Sequence, residues 1–424
     1  MPGLSQTLYN LLVWAAQPLL RRKLARRAVA EPGYAVAVPE RFGHYTQAPE
    51  AQSELVWVHA VSLGEARAAA ILLKALREAL PGVRILLTHG TATGRMEGAK
   101  LLQAGDVQVW QPWDTPAAVQ AFLRHFKPRI GLLMETEVWP NLVQQSAASG
   151  VPLALVNARM SDKSMRSALR WPGLMRPSYA ALTSVWAQTD ADAQRLRQLG
   201  AQVPLVTGNL KFDAEPDALQ VAQGQAWRAA LHQPVCFLAS SREGEEAQWL
   251  AAVQQVSGWG LAHWLIVPRH PQRVDEVEIL LRSAGLSVSR RSHWGVDGPA
   301  QQAHAQVWLG DSLGEMALYY SLADVALLGG SFECLGGQNL IEAAACGCPV
   351  VMGPHTFNFL EVAEQADAAA AARRVNDMTA AVREAMALVN APSALESASA
   401  AAVAFSQAHK GAAQRVAALV RDLV

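Results

Sequence analysis

Two successive series of short apolar segments, separated by helical stretches, constrain the fold of this chain most strongly. The first series contains six predicted strands, at residues 56–59, 83–88, 107–110, 130–134, 153–156 and 185–187. Each is a largely continuous apolar run, as expected for parallel strands covered by helices on both faces. The helical stretches between them are about 10 to 15 residues long, which is the βαβ pattern of a doubly wound sheet.

A second series of predicted strands follows the segment 209–216, at residues 235–239, 264–267, 307–309, 325–328 and 350–352. The pattern therefore predicts two Rossmann-like α/β domains facing a central cleft, with a boundary near residues 212–230. We assign residues 1–30 to an N-terminal segment, 31–215 to the first domain and 216–424 to the second. Residues 366–424 are rich in Ala and are predicted to be helical, because Leu, Val and Phe recur there at helical spacing.

Composition excludes several classes of protein. Hydrophobic residues make up 51% of the 424 residues, which excludes a disordered chain. The 36 Lys and Arg balance 36 Asp and Glu, so nucleic acid binding through bulk positive charge is not expected. The four cysteines are too few and too clustered for a disulfide framework, and we expect free thiols and no metal site or cofactor.

The N-terminal segment has an apolar run at residues 8–20, followed by five cations, Arg21, Arg22, Lys23, Arg26 and Arg27. The run is shorter than the roughly 20 residues that cross a bilayer, and its charges follow the apolar part, unlike those of a signal peptide. The favoured interpretation is an anchor at the membrane surface, in which Trp14 and the leucines enter the lipid and the cations contact anionic headgroups. The alternative is an amphipathic helix that packs on its own domain.

The turns after the strands are where ligands bind in such sheets. Glu65 opens the helix after the first strand, where it either stabilises the helix dipole or acts as a general base. Glu135 and Glu137 follow the fourth strand, and two close carboxylates favour pairing with cations or sharing of a proton. Lys211 either faces the cleft or is a solvated linker residue.

In the second domain, glycine pairs at 329–330 and 336–337 bracket a loop before a helix. Glycines allow a ligand to approach the backbone closely, and a helix N-terminus favours an anion. Gly330, Ser331 and the planar guanidinium of Arg269 are therefore candidate contacts for a phosphate-bearing ligand. The chain has no P-loop, HExxH or GxSxG motif, and Asp190 and Asp192 are better explained by helix capping than by a metal.

Eight segments resemble, in this order, the bacterial 3-deoxy-D-manno-octulosonic acid (Kdo) transferases of lipopolysaccharide biosynthesis: WVHAVSLGEARAA, METEVWPN, LVNARMS, TGNLKFD, LIVPRHPQR, LLGGSF, GGQNLIEAAACGCPVVMGP and HTFNF. The resemblance covers nearly the whole chain. It implies a GT-B glycosyltransferase fold, CMP-Kdo as donor and the lipid A precursor as acceptor. It also implies transfer without a metal, on the cytoplasmic face of the inner membrane.

The resemblance also implies roles for individual residues. Of its two possible roles, Glu65 is expected to act as the general base, and Glu135 and Lys211 are expected to assist the transition state. The residues expected to contact CMP are Pro268, Arg269, Leu313, Gly314, Glu315, Asn339, Leu340, Ile341 and Glu342, the last through the ribose hydroxyls. Two positions depart from the family pattern, Arg242 and Gln338, and neither is given a role.

Two other functions fit the same motifs less completely. One is another GT-B enzyme that transfers or epimerises a UDP-sugar. The other is a membrane-bound nucleotide-binding scaffold without catalytic activity. Competition by CMP but not by UDP would distinguish a Kdo transferase from a UDP-sugar enzyme. A single turnover with CMP-Kdo would distinguish it from a scaffold without activity.

Overall fold

A computed structural model describes residues 3–51, 54–302 and 304–424. They form two compact units. The first comprises the chain up to Asp213 together with Lys410–Val424, and the second comprises Ala214–His409. The division after Asp213 lies within the boundary region that the sequence predicts.

The first unit contains a seven-stranded parallel sheet in the order β3-β2-β1-β4-β5-β6-β7. Its strands are β1 (Leu55–His59), β2 (Arg84–His89), β3 (Val107–Trp110), β4 (Ile130–Met134), β5 (Leu153–Ala158), β6 (Ser184–Ala187) and β7 (Leu205–Val206). The six predicted strands are confirmed, and the two-residue strand β7 was not predicted. The strand order reverses between β1 and β4, so the crevice that binds ligands in open sheets lies where these two strands end.

Helices cover both faces of this sheet. The helices that precede and connect its strands are α1 (Leu4–Ala15), α2 (Gln17–Ala30), α3 (Leu63–Ala79), α4 (Ala92–Ala99), α5 (Pro116–Phe126), α6 (Pro140–Ala148), α7 (Asp162–Ala168), α8 (Pro172–Ala180) and α9 (Asp190–Gln198). Alternate residues of β1 enter two different cores, with Trp57 on one face and Val58 on the other. Ser62 and Thr91 cap the helices that follow β1 and β2, which is why those helices begin beside the strand ends.

The second unit contains another seven-stranded parallel sheet, in the order β10-β11-β9-β8-β12-β13-β14. Its strands are β8 (Val235–Ser241), β9 (His263–Pro268), β10 (Val288–Arg290), β11 (Val307–Leu309), β12 (Val325–Leu328), β13 (Val350–Met352) and β14 (Ala372–Arg374). Its helices are α10 (Ala218–Ala229), α11 (Glu245–Gln255), α12 (Val274–Ser283), α13 (Met316–Leu322), α14 (Ile341–Ala345), α15 (Leu360–Ala368), α16 (Met378–Val389) and α17 (Pro392–Ala408). The five predicted strands are confirmed, and the strand order here reverses between β8 and β12.

The Ala-rich run at residues 368–374 is not helical throughout, so that part of the helix prediction was wrong. Helix α15 ends at Ala368, Ala370 adopts a left-handed φ of 55°, and β14 then pairs with β13. Ala371 and Ala372 are buried. Pairing with a neighbouring strand and burial therefore outweigh the intrinsic helix propensity of alanine.

The C-terminal helix α18 (Ala412–Arg421) returns to the first unit. Val416 and Val420 are fully buried in the same core as Val58 of β1, and α18 packs along α3. The carboxylate of Asp213 accepts the backbone N–H groups of Gly411 at 2.5 Å and Ala413 at 2.6 Å. This corrects the prediction that places residues 410–424 in the second domain.

Candidate active site

Glu65 lies in the first turn of α3, directly beyond the end of β1. Its carboxylate accepts the backbone N–H of Val61 at 2.9 Å and the hydroxyl of Ser62 at 2.8 Å. The Ser62 hydroxyl in turn accepts the Glu65 N–H at 3.3 Å. These reciprocal contacts resemble a capping box, so Glu65 does stabilise the start of α3.

The same carboxyl group has an unusual proton affinity. Burial raises the pKa of Glu65 from 4.5 to about 7, although the hydrogen bonds from Val61 and Ser62 act in the opposite direction. The negative charges of Glu137 and Glu135 raise this pKa further. A carboxylate with a pKa near neutrality is suited to accept a proton from a substrate and release it to solvent.

Glu135 directly follows β4, the strand beside β1. It is buried, and its φ of 55° is a left-handed conformation that non-glycine residues rarely adopt. Arg159 Nε lies 3.0 Å from one carboxylate oxygen, and Lys211 Nζ lies 3.9 Å from the other. The carboxylate is thus paired with cations, which is one of the two arrangements that the sequence favours. Arg159 was not predicted, although its position directly after β5 is a signal for it.

Asn157, near the end of β5, holds the loop that carries Lys211. It is fully buried with a left-handed φ of 52°, and its Oδ1 accepts the N–H of Leu210 at 3.0 Å. The side chain of Asn209 accepts the N–H of Lys211 at 3.0 Å. Lys211 is therefore held within a fixed loop and is not a solvated linker residue.

Glu137 lies beside a neutral histidine. Trp139 Nε1 donates to Glu137 at 2.8 Å, and His59 Nε2 lies 3.9 Å from the same oxygen. Burial lowers the pKa of His59 to about 3, so this imidazole is uncharged at neutral pH. Burial also raises the pKa of Glu137. Three carboxyl groups, those of Glu65, Glu135 and Glu137, thus follow the carboxyl ends of β1 and β4. Arg159 and Lys211 are the cations that pair with Glu135.

In the second unit, Arg269 follows Pro268, the last residue of β9. Its side chain is exposed, and its Nε donates to Oε1 of Gln338 at 3.3 Å. Its backbone N–H donates to Ser241 O at 2.9 Å, which fixes the turn to the end of β8. Pro268 itself is buried, so it supports the turn, whereas the Arg269 guanidinium is open to an anion.

The turn after β11 is braced from two sides. Glu315 accepts from Arg291 Nη2 at 3.0 Å and from the hydroxyl of Ser312. The carbonyl of Gly314 accepts from Gln220 Nε2 at 2.8 Å, while Leu313 is 79% exposed. Glu315 therefore stabilises the conformation of the turn. The exposed tip of the turn, at Leu313, remains accessible to a ligand. Arg291 was not predicted, because it lies in a separate polar segment after β10.

Gly330 and Ser331 already have partners within the unit. The buried carboxylate of Glu245 accepts the N–H of Gly330 at 2.7 Å and the N–H of Phe332 at 3.0 Å. The Ser331 hydroxyl is fully buried and accepts the N–H of Gly353 at 2.8 Å. These groups shape the loop after β12, which differs from the prediction that they contact a phosphate.

The segment from Asn339 to Glu342 forms the start of α14. Asn339 Oδ1 accepts the N–H of Ile341 at 3.1 Å. Leu340 and Ile341 are buried, so they pack α14 into the unit, whereas Asn339 and Glu342 remain half-buried. Of this predicted group, only the two polar side chains are accessible to a ligand.

The N-terminal helices present apolar side chains and cations to solvent. Trp14 is 68% exposed, and the five predicted cations at positions 21, 22, 23, 26 and 27 are all exposed. Helix α1 contacts the body through polar groups instead, since Gln6 donates to Asn141 at 2.8 Å and Tyr9 donates to Asp114 at 2.7 Å. Among the described residues, no helix has both the length and the apolar character needed to span a membrane.

The four cysteines are free thiols, as predicted. Within residues 3–51, 54–302 and 304–424, no three His, Cys, Asp or Glu side chains form a group that would hold a metal ion.

Comparison with known proteins identifies the family. Residues 37–214 match a family model described as 3-deoxy-D-manno-octulosonic-acid transferase (kdotransferase). A 3-deoxy-D-manno-octulosonic acid transferase from Bordetella pertussis is 47% identical over 98% of both chains, and one from Haemophilus influenzae is 29% identical over 97% of both. A glycosyltransferase structure from Rickettsia africae, 10% identical, covers 88% of this chain and 98% of its own with a TM-score of 0.57, which supports the GT-B fold. The chain therefore belongs to the family of 3-deoxy-D-manno-octulosonic acid transferases.

Proposed function

We propose that this glycosyltransferase moves Kdo from CMP-Kdo to a lipid A precursor, lipid IVA, with inversion at the anomeric carbon. Family membership supports the transfer of Kdo. The observation that carries the assignment of the base is the half-buried Glu65 carboxyl, whose pKa is raised to about 7. It lies beyond β1, next to the reversal of strand order in the first sheet.

In this proposal a sugar hydroxyl of the lipid attacks the anomeric carbon of Kdo. Glu65 takes the hydroxyl proton as the new C–O bond forms, because a neutral alcohol is a poor nucleophile. The bond between that carbon and the phosphate oxygen breaks, and CMP leaves with the bonding electrons. Lys211, held by Glu135 at 3.9 Å, is the cation assigned to the Kdo carboxylate.

The second unit supplies the donor contacts in the same proposal. The exposed guanidinium of Arg269 stabilises the charge that develops on the departing phosphate, and the reaction then needs no metal. Glu342 and Asn339 accept or donate hydrogen bonds to the nucleoside, and the tip of the turn at Leu313 and Gly314 contacts CMP.

We further propose that α1 and α2 lie on the cytoplasmic surface of the inner membrane. The support is the exposure of Leu4, Leu11 and Trp14 in α1, at 88%, 60% and 68%, beside the exposed cations of α2. Apolar side chains of this kind enter the acyl boundary, while cations contact anionic lipid headgroups.

Mass spectrometry of the lipid tests the proposed reaction. Incubation with excess CMP-Kdo and lipid IVA should add Kdo to the lipid and release CMP, and CMP should inhibit where UDP does not. A lipid of unchanged mass would contradict Kdo transfer to this acceptor, and inhibition by UDP alone would favour a UDP-sugar enzyme.

A further inference from the structure

A second positively charged surface of the first unit lies between helix α1 and the carboxyl ends of β4 and β5, where Glu135 and Arg159 lie. Residues 159–176 contain five Lys or Arg and one Asp. Two of these charges are paired, Arg159 with Glu135 and Asp162 with Arg195. The remaining cations are Lys163, Arg166, Arg170 and Arg176.

These four cations have no counter-ion among the residues that the structure describes. All four are exposed, and exposed apolar side chains lie among them, Trp171 at 60% and Leu169 at 37%. We name these six residues the α7–α8 surface. On the opposite side, the same helices are fixed to the core by Met165 and Tyr179, both buried.

The α7–α8 surface is continuous with α1 at one end. Helices α1 and α8 pack together, and a Cβ atom at Gly173 would lie only 2.8 Å from Ser5 Oγ, so glycine permits this close approach. The residue before Ser5 is Leu4, which is 88% exposed. The exposed Leu4 thus neighbours the point where α1 contacts Gly173, two residues after Trp171.

At its other end the surface begins at the carboxyl ends of β4 and β5, because Arg159 contacts Glu135 and α7 starts at Asp162. Cations interleaved with an exposed Trp are the composition that binds the interface of an anionic membrane, where the cations meet phosphates and the indole lies at headgroup depth. We propose that the α7–α8 surface binds phosphate groups of membrane lipids.

This contact is separate from the one proposed for α1 and α2, and it does not depend on glycosyl transfer. If the proposed function also holds, a phosphate bound here would keep the headgroup of the lipid acceptor close to Glu135. That consequence rests on the proposed function, whereas vesicle binding tests the surface alone.

Sedimentation with vesicles of phosphatidylcholine, with or without phosphatidylglycerol, tests the proposal. R166Q/R170Q should bind the anionic vesicles about 25-fold more weakly than wild type, because each surface cation contributes about fivefold. The matched control R124Q/R383Q removes two arginines that are also exposed and without a counter-ion among the described residues, and it should bind within twofold of wild type. Wild-type affinity in R166Q/R170Q would overturn the proposal.

Two further arms identify the ligand. R166K/R170K should retain most of the binding, because a point charge suffices at a fluid headgroup layer. Inorganic phosphate at constant ionic strength should not displace the protein, and displacement at millimolar concentration would show a site for free anions instead. R22Q/R26Q, in α2, separates the two contacts: loss of binding only in this variant would support the α2 anchor and refute the α7–α8 surface.

Discussion

Among single residues, Glu65 has the properties needed for both of the roles that the sequence presents as alternatives, stabilising the start of α3 and accepting a proton. Its carboxylate accepts from Val61 and Ser62 and so caps α3, while burial raises its pKa to about 7. The capping contacts fix the position of the carboxyl group, and the raised pKa allows it to exchange a proton near neutrality.

The first prediction concerns the pH dependence of transfer. A general base acts in its ionised form, so kcat/KM should rise with pH along a limb with an apparent pKa of about 7. Initial rates between pH 5.5 and 8.5 measure this limb. A profile that is flat across this range would contradict the assignment, because no titrating base would then limit the reaction.

The second prediction concerns stability. The folded-state pKa of Glu65, about 7, lies above its ordinary value of 4.5, so folding favours the protonated form. Stability from this group is present below pH 4.5 and is lost as pH rises through 7. Glu65→Gln should therefore be more stable than wild type at pH 8, by about 1–2 kcal/mol after allowance for partial exposure, and similar at pH 4.5. Urea denaturation at both pH values checks this, and a difference that shrinks with rising pH would refute it.

The location of a polar side chain could be predicted from the sequence where that residue closely follows a predicted strand. Glu65, Glu135 and Arg269 all directly follow or lie close after apolar runs, so their place at the carboxyl edge of a sheet could be inferred. The roles of Asn157 and Glu245 could not be inferred from the sequence. Both side chains bind backbone groups that are distant in sequence, and Asn157 also has a left-handed backbone conformation. Glu245 in particular takes the Gly330 N–H that the glycine pattern assigns to a ligand.

At the scale of secondary-structure elements, α1 reverses the usual arrangement of an amphipathic helix. Its polar residues Gln6 and Tyr9 face the body, and Leu11 and Leu12 are 60% and 58% exposed. The sequence leaves open a membrane anchor and a helix packed on its own domain. The helix does pack on the domain, but through its polar side, which leaves its apolar side for another environment.

The third prediction follows from this arrangement. L11S/L12S should lower binding to lipid vesicles at least tenfold, because a buried leucine contributes about 1.5–3 kcal/mol. The unfolding midpoint of L11S/L12S should equal that of wild type, since both leucine side chains are exposed. The control L219S/L261S removes leucines that are 83% and 61% exposed in the second unit. Equal vesicle binding by the two variants would contradict the anchor.

Element prediction succeeded for central strands and failed for three of the four outermost strands, for a physical reason. Central parallel strands are buried on both faces and are therefore continuously apolar. The missed strands β7, β10 and β14 are outermost, two or three residues long, and β10 and β14 contain arginine. Their existence depends on pairing with a neighbouring strand, which local sequence does not encode.

Across the whole chain, the first unit includes two separate segments, because the C-terminal helix α18 packs on it. Helix α18 packs on α3, the helix that begins with Glu65, and Asp213 caps α18 through Gly411 and Ala413. Glu65 thus lies on a helix supported by a segment more than 300 residues later in sequence, at Lys410–Val424.

The fourth prediction tests this support. Asp213→Ala should destabilise the first unit by about 1–2 kcal/mol, the usual cost of losing a cap. Hydrogen exchange should then accelerate in α3 and α18 but not in α11. The control Asp217→Ala removes the cap of α10, which lies in the second unit, and should accelerate exchange there instead. Unchanged exchange in α18 of the first variant would contradict the capping role.

The role of Glu65 as general base is tested most directly by the rate of Kdo transfer from CMP-Kdo to lipid IVA in Glu65→Gln, with CMP binding measured on the same sample. Glu65→Gln should lose about 10²–10⁴-fold in transfer, with CMP affinity within twofold of wild type. The control Glu78→Gln, an exposed position on the same helix, should retain full activity. Transfer by Glu65→Gln within a few-fold of wild type would show that Glu65 is not the general base.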